Sequence, residues 1–97
     1  MWTGTLALDL LLGDVHSLKE KRSVVRPVVA ALARLGVSAA EAGHLDLHRR
    51  TLLGVAVVAA DVRHCREVLA RCEQLVAERH EVEVLSTRTR FYEMGDD

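Results

Sequence analysis

Two hydrophobic periodicities alternate along the chain, and this alternation limits its fold more than any other feature. Four stretches have the alternating or continuous apolar pattern of strands: residues 3–12, 37–43, 51–60 and 82–92. Two stretches, residues 18–35 and 62–76, repeat apolar residues with the period of a helix. The predicted order is therefore strand, helix, strand, strand, helix, strand.

That order predicts an α+β fold, a ferredoxin-like βαββαβ sandwich. Two right-handed strand–helix–strand units interleave into a four-stranded antiparallel sheet of order 4-1-3-2, with both helices on one face. A chain of 97 residues has room for one hydrophobic core. We therefore predict a single domain over residues 1–92 and a flexible tail over residues 93–97.

The ends of the predicted helices carry recognisable signals. Ser17 and Glu20 have the spacing of a capping box, in which each side chain accepts a hydrogen bond from a free amide of the first turn. Gly36 follows the first helix, and Asp61 is a suitable N-cap for the second. Cys65 and Cys72 lie two turns apart in that helix, about 10.5 Å along its axis, so they are predicted to be buried thiols rather than a disulfide.

Composition argues against several classes of protein. The formal net charge of −1 gives no general reason to bind nucleic acid or membranes. No apolar run reaches the roughly 18 residues of a membrane helix, and the start of the chain does not have the pattern of a secretion signal. We therefore expect a cytoplasmic protein that does not associate with membranes.

The start of the first helix is locally basic, with five basic residues against one acidic residue between residues 18 and 35. Lys19, Arg22 and Arg26 recur on one helical face, and a helix N-terminus already favours anions. Together with Lys21 they form a candidate site for phosphate or nucleic acid. The alternative is a solvated face whose long side chains cover the edge of the core.

A second candidate site is the run from His44 to His48 in the predicted hairpin. In an extended chain, His44, Asp46 and His48 would share one side and could bind a divalent metal or transfer protons. The alternative is that Asp46 pairs with Arg49 or Arg50 in the turn. The sequence has no nucleophile motif and no P-loop, so we predict no catalytic residues and no cofactor.

The face of the sheet away from the helices is predicted to keep apolar side chains, because either register of the third strand leaves some pointing outward. An uncovered apolar face favours association, so we predict a homodimer or a protein partner there. The alternative is that scattered exposed apolar residues are ordinary.

Three stretches resemble the YlxP family of bacterial proteins: residues 17–22 (SLKEKR), 41–47 (EAGHLDL) and 54–58 (GVAVV). The resemblance implies a ferredoxin-like fold, and a role near the ribosome, since genes of the family often accompany translation and ribosome-maturation genes. It brings no catalytic residues. The chain departs from the pattern at His48-Arg49, where relatives often have Trp-Gln, and at Pro27.

The function predicted from these features is that of a non-catalytic, dimeric binding module for a ribosomal subunit or structured RNA. Only three aromatic residues are present, Trp2, Phe91 and Tyr92, so the predicted RNA binding is electrostatic rather than based on stacking. The alternatives are an interaction module that uses the open sheet face, and a metal-dependent protein that uses His44, Asp46 and His48.

Overall fold

The computed structural model describes residues 1–95 and confirms the predicted order of elements. These elements are β1 (Trp2–Leu12), α1 (Leu18–Ala33), β2 (Ser38–Gly43), β3 (Arg50–Ala59), α2 (Val62–Ala77) and β4 (Val82–Glu93). The sheet has the order β2-β3-β1-β4 with all neighbours antiparallel, which is the predicted order read from the other edge. The ferredoxin-like α+β fold is therefore confirmed.

The core lies between the sheet and the two helices. Even-numbered leucines of β1, from Leu6 to Leu12, are at most 1% exposed, and alternate residues of β3 such as Leu53 join them. Helix α2 contributes Cys65 and Cys72, which are buried and free, and burial raises the pKa of the Cys72 thiol. The period of two in the strands thus directs one face of the sheet onto the helices.

Both helices begin at the predicted caps. The Ser17 hydroxyl accepts a hydrogen bond from the Glu20 amide at 3.1 Å, and Asp61 accepts one from the His64 amide at 2.8 Å. The Glu20 carboxylate accepts from the amide of His16, one residue before the cap, at 2.9 Å. This differs from the expected capping box, in which Glu20 would accept from the amide of Ser17 itself.

The last strand ends one residue later than predicted. Strand β4 includes Glu93, and the amide of Met94 donates a hydrogen bond to the carbonyl of Met1 at 2.9 Å, so the predicted tail begins inside ordered sheet. Residues 96 and 97 of that predicted tail lie outside the described residues. Neither helix of the described chain is both long and apolar enough to cross a membrane.

Candidate nucleic-acid interface

Three of the four predicted cations share the outer surface of α1. Lys19, Arg22 and Arg26 are exposed and, with Ser23 and Pro27, line an open depression of about 640 Å³. Within residues 1–95, none of these three cations forms an ion pair. We call this surface, made of Lys19, Arg22 and Arg26, the basic face of α1.

The local structure of α1 explains why these charges stay uncompensated. The Glu20 carboxylate is held at the helix start by the His16 amide, and the Glu41 carboxylate is engaged by Lys21 and Thr51. The positive end of the helix dipole lies at the same end as Lys19. The guanidinium groups of Arg22 and Arg26 can each offer two parallel donors to a phosphate, as a lysine cannot.

Lys21 does not share the basic face, because its side chain is turned into the protein. The residue is 2% exposed, and its Nζ donates to the carbonyl oxygen of His44 at 2.7 Å and lies 2.8 Å from a carboxylate oxygen of Glu41. The buried hydroxyl of Thr51 donates to the same oxygen at 2.6 Å. Lys21 therefore ties α1 to the hairpin between β2 and β3.

The sequence contained a signal for this burial. Lys21 lies on the same helical stripe as Val25, Val28 and Leu32, which are buried. Glu41 lies opposite Leu53 in the register of β2 and β3, so it points to the helix side of the sheet. A lysine and a glutamate that both interrupt core-facing positions predict a partly buried pair.

The structure does not bring together the side chains of His44, Asp46 and His48. Asp46 and His48 are exposed in the turn, whereas His44 Nε2 lies 3.5 Å from a carboxylate oxygen of Asp9 on β1. No group of three or more possible metal ligands exists within the described part of the chain. His44 has φ of +56°, and this left-handed backbone conformation accompanies the contact of its carbonyl with Lys21.

The arginines after the turn have partners other than the proposed Asp46. Arg50 donates from its terminal nitrogen to both carboxylate oxygens of Asp9, at 2.7 and 2.8 Å, and these hydrogen bonds lower the pKa of Asp9. Arg49 Nε donates to the carbonyl oxygens of Leu12 and Gly13 at 3.2 and 2.9 Å. Sequence reasoning gave Asp9 no partner, although a carboxylate among leucines of a strand was a signal for one.

The sheet face away from the helices, which we call the open face, has no helix over it within residues 1–95. Small and polar residues line a depression of about 320 Å³ there, including Ala7, Gly54, Ala56, Arg88 and Arg90. Val58 on the same face is 62% exposed. An apolar floor with arginines at one side is therefore available for contact with another molecule.

Comparison with known proteins identifies a solved structure with a similar fold and a relative with a similar sequence. A crystal structure of a variant of SnoaB, a cofactor-independent oxygenase from Streptomyces nogalater, is similar, with a TM-score of 0.53 and 15% identity over 98% of this chain and 95% of that chain. At this identity the likeness shows the fold alone. The "Uncharacterized protein YlxP" of Bacillus subtilis (strain 168) is 29% identical over 90 residues, 92% of this chain and 98% of that protein.

The family model described as "Protein of unknown function (DUF503)" matches residues 3–89, which include both helices, the hairpin and most of the sheet. The matched range contains the basic face of α1, the buried Lys21–Glu41 pair and the Asp9–Arg50 pair. The chain therefore belongs to the DUF503 family.

Proposed function

We propose that the protein is a non-catalytic, dimeric binding module of the cytoplasm that binds structured RNA, as on a ribosomal subunit, through the basic face of α1. The observation that carries this proposal is the set of three exposed cations around one depression without a counter-ion among residues 1–95. The resemblance to the YlxP family, whose genes accompany translation genes, supports RNA as the polyanion.

The size of the basic face limits the strength of this interaction. Lys19 and Arg26 are seven residues apart, about 10.5 Å along the helix, so the face can contact at most about three phosphates. Each neutralised phosphate contributes close to −0.9 to the slope of log affinity against log salt on a duplex. We therefore expect a slope between about −2 and −3.

Base stacking has little part in this proposal. Trp2 and Phe91 pack against the core, and the guanidinium of Arg66 lies 5.1 Å from the centre of the Phe91 ring. Only Tyr92 among the three aromatic residues is exposed, at 51%. Recognition by charge and shape is therefore the mode that the described surface supports.

The test is co-sedimentation with ribosomal subunits and with isolated ribosomal RNA over a series of salt concentrations. Arg22→Glu with Arg26→Glu should weaken binding by more than about tenfold and reduce the salt slope by about two. Arg63→Glu with Arg71→Glu, on the exposed surface of α2, makes the same change in net charge and should leave binding largely intact. Equal losses in both variants, or no co-sedimentation at low salt, would contradict the proposal.

The open face supports the dimeric part of the proposal. Its depression has an apolar floor, and face-to-face packing of two such sheets would cover Val58 as well. Sedimentation equilibrium should show a dimer that Ala56→Glu converts to monomer, because two glutamates would then be buried in the contact. A wild-type protein that is monomeric at all concentrations would refute the proposed dimer. Binding of another protein to the open face is the alternative.

A further inference from the structure

The two edges of the sheet differ in how they are protected. β2 and β4 are the edge strands, and within residues 1–95 the outer side of each carries backbone amides and carbonyls without a strand neighbour. β4 exposes charged side chains, among them Glu83, Arg88 and Arg90, and such charges discourage the addition of another strand. The residues of β2 are Ser38-Ala-Ala-Glu41-Ala-Gly43, so Glu41 is its single charge.

That single charge does not protect β2. The Glu41 carboxylate accepts hydrogen bonds from Lys21 and Thr51 on the helix side of the sheet, so it is unavailable at the outer edge. The remaining side chains of β2 are small and uncharged. β2 is thus an edge whose backbone another extended chain can approach closely.

A groove runs beside this edge, between β2 and the outer flank of α1. It measures about 450 Å³, and its lining includes apolar residues of α1, namely Val25, Val29, Ala30 and Ala33. Arg22 and Arg26 lie in the same lining. A strand added to β2 would direct every second side chain to the helix side of the sheet, where the groove lies.

The charge of the groove indicates which kind of segment can bind there. Arg22 and Arg26 have no ion-pair partner within residues 1–95, so acidic side chains complement them. A second copy of this chain would present the same flank, where the acidic residue, Glu41, is already paired. Pairing of β2 with β2 of another copy would therefore leave both arginines without a counter-charge.

We propose that the outer edge of β2 binds an extended segment of a partner protein as a fifth strand, with apolar side chains in the groove and acidic side chains at Arg22 and Arg26. Backbone hydrogen bonds would supply affinity, and the groove with its two arginines would supply specificity. This goes beyond RNA binding. Because both surfaces use Arg22 and Arg26, the partner segment and RNA exclude each other.

The test is an NMR titration of the full chain with a capped ten-residue peptide of repeating Val-Thr-Glu-Thr sequence, in which valine and glutamate occupy alternate positions of the same strand face and can both point to the groove. Amide signals of residues 38–43 and of the groove-lining part of α1 should shift and saturate with a dissociation constant near or below about 1 mM. The same peptide with lysine in place of each glutamate, and a version of the glutamate peptide with a central proline, should produce no such shifts, because one reverses the charge and the other cannot complete the strand.

Matched variants separate this site from the RNA surface. Ala30→Gln with Ala33→Gln fills the groove at two exposed helical positions without changing charge, and should weaken peptide binding about tenfold while leaving RNA binding unchanged. Lys19→Glu lies outside the groove lining and should weaken RNA binding only.

Three results would overturn the inference: shifts confined to β4 or to the open face, equal binding of the lysine peptide, or no shift at residues 38–43 with millimolar glutamate peptide. Each of these results leaves the RNA proposal standing, since co-sedimentation tests it independently. Conversely, a failure of RNA binding leaves the peptide measurement interpretable, because the peptide contacts β2 and the groove directly.

Discussion

Lys21 and its neighbours Lys19, Arg22 and Arg26 carry the same charge within one helix and have opposite surroundings. Lys21 is buried and held by Glu41 and the carbonyl of His44, whereas the other three are exposed on the basic face without an ion pair among residues 1–95. Position on the helical stripe, rather than residue type, therefore separates a structural cation from a cation available to a ligand.

The free-energy cost of removing each of these cations should depend on how far it is buried. Removing one member of a mostly buried ion pair leaves a charge with little solvent and no counter-charge, which is costly. An exposed cation is hydrated in the folded and unfolded states alike, so its removal changes stability little. The following predictions test this contrast, in order of decreasing effect on the free energy of unfolding.

Lys21→Met should have the largest effect. The substitution keeps the apolar stem and removes the charge, which leaves the partly buried Glu41 carboxylate without its cationic partner. We expect a loss of about 3 kcal/mol, the lower end for buried pairs, since the Glu41 side chain is 24% exposed. Urea unfolding measures it. In the double variant Lys21→Met with Glu41→Gln the loss of stability should be smaller. If Lys21→Met alone is as stable as wild type, the Lys21–Glu41 pair does not stabilise the fold.

Ser17→Ala should have the second-largest effect on the free energy of unfolding. It removes the N-cap of α1 and leaves the Lys21–Glu41 pair in place. The hydroxyl of Ser17 accepts from the Glu20 amide, and its removal should cost about 1 kcal/mol. Ser23→Ala in the same helix is the matched control and should be close to neutral, because Ser23 is exposed and its hydroxyl only donates to the carbonyl of Lys19. Equal urea midpoints for the two variants would show that the cap contributes nothing.

Asp9→Asn tests an ion pair of intermediate exposure on the opposite face of the sheet. The side chains of Asp9 and Arg50 are 25% and 36% exposed, so the loss at neutral pH should be less than about 1 kcal/mol. Hydrogen bonds from Arg50 lower the pKa of Asp9 below its ordinary value of 3.8. The stability that this carboxylate contributes is therefore present above pH 3.8 and is lost as the pH falls further, through the pKa of the folded state.

The measurement is urea unfolding of wild type and Asp9→Asn at a series of pH values. The difference between their free energies of unfolding should be constant at neutral pH and decline only below about pH 4. A difference that already declines between pH 7 and 6, or one that stays constant down to about pH 3, would contradict the assignment of this stability to the Asp9 carboxylate.

Arg22→Ala with Arg26→Ala should have the smallest effect on stability, within about 0.5 kcal/mol of wild type. The same pair of substitutions should weaken RNA co-sedimentation. Substituting the basic face should thus lower RNA binding without lowering stability, whereas Lys21→Met should lower stability. A large loss of stability in this variant, measured by urea unfolding, would show that the basic face is part of the structural framework.

Much of the fold was predictable because its signals are local. The alternating leucines of β1, the helical period of α1 and α2 and the caps at Ser17 and Asp61 each predicted an element that the structure contains. The sheet order followed from the handedness of the two crossovers. Strand β4 runs one residue past its predicted end, because Glu93 looks like a polar terminus in the sequence whereas its pairing with Trp2 of β1 keeps it in the strand.

The candidate site was less predictable because its geometry depends on residues far apart in sequence. The pattern placed Lys19, Lys21, Arg22 and Arg26 in one basic group and His44, Asp46 and His48 in another. The structure divides both groups, since Lys21 meets Glu41 and His44 meets Asp9 across the sheet. These contacts join residues separated by 20 and 35 positions along the chain.

The order of elements and the core-facing positions could be predicted from the sequence, because hydrophobic periodicity acts within each element. The basic character of α1 is likewise visible in the sequence. The contacts of Lys21 with Glu41 and with the carbonyl of His44, and the unprotected edge at β2, follow from how distant parts of the chain pack together. The physical reason is that a charge becomes structural only when packing removes water and supplies a counter-charge. For Lys21, that depends on a helix and a hairpin meeting across the edge of the sheet.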